Sequence, residues 1–522
     1  LLSLLRRADP SWRAALLNFL HRMETFNHII NGFGVALMPI NLWYTFVGVL
    51  IGTIVGILPG IGPSASIALL IPVTYGMDPA SGLIMMAGVY YGTKYGGSTT
   101  AILIRTPGEA ASVMTSIDGY EMARNGRAGA ALAISAIGSF IAGTLGVVAL
   151  TLFAVPLSST ALKFGPAEYF TLMLFALTAV ASLSGKSPAK GLLSTILGLM
   201  IATIGIDLQS GQQRFTAGVA EFQDGIGFIV VVVGMFALAE VFRGLEKIHS
   251  GTSDPAMRIT GKLWITREEW RRSKGPIWRG SIMGFLIGIL PGAGGTIASL
   301  LSYSTEKRLS KNPEEFGKGA IEGVAGPEAA NNSDTAGAMV PLLTLGVPGG
   351  GATAVMMGAF IMHGIQPGPL LFQNRPDLVW GLIDSMYIGN VMLLILNLPL
   401  IGLFVRLLYI PSGILYPLII AISVLGTFAI NGSMVELYLV LFFGVLGYIF
   451  DKVEIPIPPL VLSLVLAGIM EQSFRQALTL SDGNPVVFVS SGISATLVFM
   501  AAVSLALPFL IPRLKQVTPE QD

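Results

Sequence analysis

Four clusters of small, hydroxyl and amide residues interrupt apolar stretches of this chain, at 59–66, 94–100, 291–296 and 328–335. Proline removes a backbone donor and glycine loosens the helix, so such clusters break a helix inside an apolar segment. A helix that restarts after a break presents free N–H groups and the positive end of its dipole, which suit a carboxylate. A helix that ends there offers free carbonyl oxygens, which suit Na⁺. The clusters therefore predict that an anion and a cation bind at broken helices.

The substrate-binding residues that we predict come from all four clusters. They are Gly60, Gly62, Ser64, Ser66, Lys94, Ser98, Thr99, Thr100, Gly294, Gly295, Thr296, Asn331 and Asn332. The cation-binding residues that we predict are Gly60, Ser98, Gly292, Asn332, Ser333, Asp334 and Thr335. The alternative is that these glycines and serines only pack helices closely and that the prolines only kink them.

Five charged residues lie close to the breaks: Lys94, Arg105, Glu109, Glu328 and Asp334. Lys94 or Arg105 is suited to pair with an anionic substrate, and Asp334 is suited to bind Na⁺ or to take a proton. Two other interpretations stay open. Arg105 can mark a helix end at the membrane interface, and Glu328 and Asp334 can lie in a wet loop.

The breaks belong to an internal repeat. Residues 56–62 read Gly-Ile-Leu-Pro-Gly-Ile-Gly, and 288–294 read Gly-Ile-Leu-Pro-Gly-Ala-Gly. The stretch 87–101 aligns without a gap with 322–336, which matches Ser98 to Ser333, and the Pro-Gly pair at 107–108 answers the pair at 348–349. Paired broken helices at matching places in two halves are typical of secondary transporters, and by that analogy we favour inverted repeats.

Composition defines the class that can hold these breaks. Of the 522 residues 53% are hydrophobic and only 12% are charged, and the mean hydropathy is +0.72. Several uncharged stretches exceed the roughly 20 residues that span a bilayer. We therefore predict an all-α polytopic membrane protein with about 12 membrane segments, counting half-helices, in two homologous halves with broken or re-entrant helices.

The expected organisation is a first membrane half at 23–242, a basic cytoplasmic connector at 243–279, a second half at 280–512 and a polar tail at 513–522. Residues 1–22 are either an upstream extension, with Met23 as the true start, or an interfacial helix. The chain has no cysteine, which excludes disulfides and thiolate chemistry. Gly185-Lys186-Ser187 lacks the earlier glycine of a phosphate-binding loop, so an ATP-driven pump is unsupported. No nucleophile set indicates an enzyme, and no basic run indicates nucleic acid.

Several longer strings resemble the large membrane subunit of the bacterial tripartite tricarboxylate transporters. They lie at 56–70, 91–103, 106–109, 326–336 and 345–349, and the similarity runs from Met23 to about Pro512. The resemblance implies an inner-membrane protein that works with a small four-helix membrane subunit and a periplasmic solute-binding protein. It also implies import of di- or tricarboxylates such as citrate by symport with Na⁺ or H⁺, without another cofactor. An elevator mechanism and a homodimer of the large subunit are further expectations, and a passive anion channel is the alternative function.

Overall fold

The computed structural model describes residues 26–58, 61–105, 107–183, 187–207, 210–250, 262–405 and 412–517. The predicted segment 1–22, Gly60 and the middle of the predicted connector lie outside these residues. The first half comprises α1 (26–36), α2 (Pro39–Gly56), α3 (Pro63–Leu70), α4 (Pro79–Ile104), α5 (Val113–Met122), α6 (Ala128–Ala161), α7 (Pro166–Leu183), α8 (Pro188–Ala202) and α9 (228–250).

The second half begins with α10 (Arg267–Gly288), α11 (Gly294–Leu309), α12 (Glu322–Leu345) and α13 (Gly351–Met362). It continues with α14 (Pro376–Asn397), α15 (Ser412–Asn431), α16 (Met434–Lys452), α17 (Pro458–Leu480) and α18 (Gly492–Val517). Short 3₁₀ turns, π-helical segments and helical turns connect these helices, and Gly205–Ile206 pairs antiparallel with Gln213–Arg214.

The sequence sets many of the helix starts. Pro39, Pro63 and Pro79 occupy the first turn of α2, α3 and α4. Proline is favoured there because its fixed φ suits the helix and its missing donor would have no intrahelical partner. In α10 the Thr266 side chain accepts from the Glu269 backbone N–H, while the Glu269 carboxylate accepts from the Thr266 N–H. That helix therefore begins inside the predicted connector rather than at 280.

The fold is that of a multi-pass α-helical membrane protein. Among the described residues, six helices are long and apolar enough to cross a bilayer, and five shorter apolar helices accompany them. The helices α4 and α12 carry two of the four polar clusters, 94–100 and 328–335, and are almost wholly buried inside the protein. Residues 322–335, which appear in the sequence as part of a polar region, are thus part of a buried helix. The number of about 12 segments stays a prediction.

Each half contains two helices in close parallel contact. A Cβ added at Gly52 of α2 would lie 2.5 Å from the carbonyl oxygen of Val89 on α4, and one at Gly284 of α10 would lie 2.1 Å from that of Ala330 on α12. Only glycine permits this approach. The segments 57–78 and 289–321, which contain α3 and α11, carry the chain back from the end of one partner to the start of the other.

These contacts correct the repeat alignment of α4 with α12. Gly56 packs against Thr93 and Gly288 packs against Asp334, so Thr93 corresponds to Asp334 at an offset of 241 residues. The Pro-Gly pairs share that offset, since Gly108 approaches the Gly56 carbonyl and Gly349 approaches the Gly288 carbonyl. The gap-free match of Ser98 to Ser333 is therefore wrong by six residues. Short runs of small residues resemble one another at several offsets, whereas packing selects one.

The helices form two groups. The pairs α2–α4 and α10–α12 pack with α1, α3, α5, α6, α11, α13 and α14 in one group, which we call the core group. The other group, which we call the flanking group, consists of α7, α8, α9, α15, α16, α17 and α18. The tips of both broken helices belong to the core group and face the flanking group.

Candidate functional site

A cavity of about 540 Å³ lies between the core group and the flanking group. The restarting ends of both broken helices line it, through residues 62–65 of the first and 292–297 of the second. Gly292 and Gly294 have φ of +81° and +58°, left-handed conformations that disfavour a side chain. A Cβ added at Gly294 would meet no atom within 4 Å, so the backbone there is open to the cavity, whereas Gly292 packs against Val180.

Lys94 of α4 is the buried cation at the cavity wall. Its Nζ donates to Asn331 Oδ1 at 2.8 Å and lies 3.2 Å from Glu109 Oε2 and 3.9 Å from Asp334 Oδ2. The Asn331 amide nitrogen in turn donates to Glu109 Oε1 at 2.7 Å. The four residues form one network, which we call the Lys94 cluster, between the two halves of the chain. Lys94 is therefore already paired with two carboxylates.

Contacts between α4 and α12 also fix their direction. Lys94 contacts Asn331 and Asp334, whereas Ser98, one turn later, donates to Glu328, which lies earlier on α12. Residue numbers therefore rise in opposite directions along the two helices. Because α2 is parallel to α4 and α10 is parallel to α12, equivalent helices of the two halves are antiparallel at this site.

The structure places the predicted site residues in two sets. Eight line the cavity: Gly62, Ser64, Lys94, Gly292, Gly294, Gly295, Thr296 and Asp334. Eight others lie away from its lining and are buried: Ser66, Ser98, Thr99, Thr100, Asn331, Asn332, Ser333 and Thr335. The remaining residue, Gly60, is outside the described part of the chain.

Hydrogen bonding explains why several predicted hydroxyls lie away from the cavity. Ser66 donates to the Gly62 carbonyl, and Thr100 donates to the Gly97 carbonyl of its own helix. Ser333 donates to the Ser281 carbonyl on α10. Such bonds satisfy the hydroxyls locally and stabilise helix packing. For these three residues the structure therefore favours packing over ligand contact.

Other lining residues are absent from the predicted set. Glu109 joins the Lys94 cluster, and the loop containing Gly350 and Gly351 closes the cavity beside the first break. The flanking group contributes Val180, Leu183, Phe236, Arg243, Pro456, Pro458 and Leu462. The repeated Pro-Gly pairs signalled the loops next to Glu109 and Gly350. The lining residues of the flanking group belong to no repeated motif, so the sequence contains no signal that identifies them. Arg105, at the end of α4, is exposed and stacks over Tyr120, away from the lining.

Comparisons with known proteins agree with the membrane architecture. The model of the tripartite tricarboxylate transporter TctA family matches residues 42–462. An uncharacterized 52.8 kDa protein of Agrobacterium vitis, from the TAR-I ttuC' 3' region, is 46% identical over 503 residues, which cover 96% of this chain and all of that protein. An uncharacterized protein from the TAR-II ttuC' 3' region of the same organism is 46% identical over 243 residues, covering 46% of this chain and all of that protein. No solved structure matches the chain.

Proposed function

The chain belongs to the TctA family of tripartite tricarboxylate transporters, and we propose that its cavity binds a di- or tricarboxylate that crosses the membrane together with a cation. The resemblance to that family is thereby confirmed. The protein is a multi-pass membrane subunit of such a transporter, and nothing in the family indicates an enzyme. The coupling, the substrate and the mechanism below are proposals.

The observation that carries symport is the charge of the buried residues around the cavity. Lys94 faces Glu109 and Asp334, and a third buried carboxylate, Glu328, lies on the same helix as Asp334. Among the described residues, the Lys94 cluster and Glu328 thus contain three carboxyl groups and one lysine. Arg243, the other basic residue of the lining, pairs with Glu240 and Asp451 of the flanking group. An anionic substrate adds further negative charge in a low-dielectric interior, where each charge at bilayer depth costs about 2.5–3.5 kcal/mol on insertion scales. Cations that enter with the substrate would remove this cost.

The shape of the site supports a carboxylate as the substrate. Gly294 begins α11 and Pro63 begins α3, so both helix starts present backbone N–H groups to the cavity that Lys94 also lines. A volume of about 540 Å³ falls within the usual range of small-molecule pockets, roughly 300–1,000 Å³. Ser64 and Thr296 supply hydroxyl donors to the same space.

We propose that the halves are inverted repeats and that the core group moves as an elevator against the flanking group. The antiparallel course of α4 and α12 supports the first proposal, and the position of the cavity between the two helix groups supports the second. By the family, we also propose a bacterial inner-membrane location, a small four-helix membrane subunit and a periplasmic solute-binding protein as partners, and a homodimer of the large subunit.

Uptake of labelled citrate and related acids into proteoliposomes tests the function. The vesicles hold both membrane subunits with the binding protein outside, under an imposed Na⁺ or proton gradient. We expect accumulation that depends on one of the two gradients. Uptake that ignored both would refute symport and leave a passive pathway.

The absence of cysteine allows a clean test of the elevator. A Cβ added at Gly351 would lie 3.4 Å from the Cβ of Pro458 on the flanking helix α17, close to disulfide geometry. We expect oxidation of the variant Gly351→Cys/Pro458→Cys to stop transport and reduction to restore it, while each single variant ignores oxidant. Full transport by the cross-linked protein would contradict the elevator.

A further inference from the structure

Glu328 occupies a buried pocket of hydroxyl groups behind the Lys94 cluster. Its side chain is fully buried, on α12. Ser98 and Thr115 each donate to one of its carboxylate oxygens at 2.5 Å, and Ser135 and Ser139 of α6 donate at 3.2 and 3.4 Å. All four hydroxyls come from the first half of the chain, whereas Glu328 comes from the second.

No basic side chain within the described ranges lies at salt-bridge distance from Glu328. This sets it apart from other acids at the same end of the core group: Arg279 pairs with Glu306, and Arg272 pairs with Glu322. Lys94, the buried cation of this region, is held by Glu109 and Asp334. The hydroxyls hydrogen-bond the Glu328 oxygens but bring no positive charge to the pocket.

The helix dipole does not replace a cation here. Glu328 is the seventh residue of α12, which begins at Glu322. The dipole acts within the first turn of a helix, so at this position it offsets little of the cost of a charge at membrane depth.

A second observation points to a cation. The Asn332 amide nitrogen donates to Ser139 Oγ at 2.7 Å and to the Glu328 carbonyl at 3.0 Å, which places the amide at the edge of the pocket. Its Oδ1 is buried and has no hydrogen-bond partner. A buried acceptor without a partner loses its hydrogen bonds to water and destabilises the fold. A bound ion would supply the missing partner.

We propose that this pocket binds the Na⁺ ion that drives transport, an assignment that rests on the proposed symport. The Glu328 carboxylate, the four hydroxyls and Asn332 Oδ1 present only oxygen atoms, the ligands of hard cations. Their single negative charge matches a monovalent ion, because a divalent ion would leave a buried positive charge. Of these residues, only Ser98 and Asn332 belong to the predicted cation set, and Glu328 replaces Asp334 as the anionic ligand.

The position of the pocket links the ion to the substrate. Ser98 lies one turn beyond Lys94 on α4, and Asn332 is next to Asn331, the amide that holds Lys94 and Glu109. An ion bound by Ser98 and Glu328 would fix α4 against α12 and thereby the Lys94 cluster. Bound Na⁺ would then hold the Lys94 cluster, which lines the substrate cavity, in a fixed geometry for carboxylate binding.

Two readouts on the purified protein test the pocket. The first is the melting temperature in NaCl against choline chloride at constant ionic strength, which requires no transport. The second is citrate uptake and citrate exchange in the reconstituted complex. We expect Na⁺ to raise the melting temperature of the wild type and not of Glu328→Gln. We also expect Glu328→Gln to lose gradient-driven accumulation at least tenfold while it keeps citrate exchange.

Asp384→Asn is the matched control, because Asp384 is also a fully buried membrane-helix carboxylate but, unlike Glu328, has no hydroxyl donors around it in the described part of the chain. It should keep the sodium response. If Glu328→Gln fails to fold, Thr115→Val and Ser135→Ala carry the test, and each should raise the half-saturating Na⁺ concentration severalfold. A sodium response that persists in the Glu328 variant, or is lost in the Asp384 variant, would overturn the site.

The outcomes separate this inference from the proposed function. Wild-type uptake driven by Na⁺ together with an unchanged Glu328→Gln response would refute the pocket alone. Wild-type uptake driven only by a proton gradient, without a sodium effect on melting, would refute Na⁺ as the ligand. Wild-type protein that takes up no carboxylate under either gradient would refute the function itself.

Discussion

Replacing Lys94 by methionine removes the one buried positive charge of the Lys94 cluster. Lys94 Nζ lies 3.2 Å from Glu109 and 3.9 Å from Asp334, and donates to Asn331 at 2.8 Å. Its side chain and those of both acids are at most 5% exposed, so water cannot replace the lost partner. The methionine leaves two carboxylates buried without a cation.

The loss of stability that we expect for Lys94→Met follows from the burial of the ion pairs that Lys94 makes. Breaking a buried ion pair by removing one partner costs about 3–5 kcal/mol, mostly through the charge that stays behind. Lys94→Met/Glu109→Gln removes one stranded carboxylate as well. We therefore expect the double variant to recover part of the loss, with a coupling energy of about 0.5–3 kcal/mol. Exposed ion pairs such as Arg271–Glu268 should give at most about 1 kcal/mol.

The assay is denaturant-induced unfolding in mixed micelles for the wild type, both single variants and the double variant. Citrate binding to the folded protein is measured in parallel. We expect Lys94→Met to lose citrate binding and the double variant to recover stability without recovering binding. Single and double variants whose losses simply add would refute the coupling between Lys94 and Glu109 and the charge argument that depends on it.

Three further predictions concern the frame around the site. Gly284→Ala, whose new Cβ would lie 2.1 Å from a carbonyl oxygen of α12, should lower the free energy of unfolding by about 1–3 kcal/mol, whereas Gly34→Ala, with no atom within 4 Å, should leave it nearly unchanged. Asp118→Ala should speed proteolysis in the 310–321 loop at a cost of about 1–3 kcal/mol, because its carboxylate accepts three backbone N–H groups of that loop; an unchanged cleavage rate would argue against this tether. The hydrogen bond from Arg272 lowers the pKa of Glu315, so the Arg272–Glu315 ion pair stabilises the fold above the usual pKa of the carboxyl, and this stabilisation is lost as pH falls through the lowered pKa. The melting temperature of Glu315→Gln should therefore lack the part of the wild type's decrease that occurs in this acid range. A decrease equal to that of the wild type would contradict the prediction.

The sequence reveals the helix breaks because their cause is local. Proline and glycine act on the backbone where they stand, so the ends of α2 at Gly56 and of α10 at Gly288 follow from the repeated heptapeptide. The membrane class and the family follow from hydropathy and from long matching strings. Lys94 and Asp334 stand out as charges in apolar surroundings, and both line the cavity.

The rest of the site depends on distant contacts. Ser98 and Thr100 look alike in sequence, and each donates to a carbonyl of its own helix, but only Ser98 also donates to Glu328 of the second half. Sequence alignment cannot determine which residue of α12 corresponds to which residue of α4, because their small residues match at several offsets. The contact between Gly288 and Asp334 is compatible with only one of these offsets. Glu109 lies in a loop whose place beside Lys94 is set by tertiary packing.

The two halves share their helix contacts but differ in their charged residues, and this difference determines the expected order of ligand binding. In the corrected register, Asp334 corresponds to Thr93 and Gly96 to Gly337, so the helix contacts repeat while the charges do not. With its carboxyl groups ionised and no ligand bound, the region formed by the Lys94 cluster and Glu328 carries more negative than positive charge, and such a wall repels a carboxylate. A cation bound first at Glu328 reduces that excess and orders the helices that hold Lys94. The proposed transport cycle therefore begins with the cation, and citrate affinity should rise with Na⁺ concentration, with the same factor by which citrate raises the affinity for Na⁺.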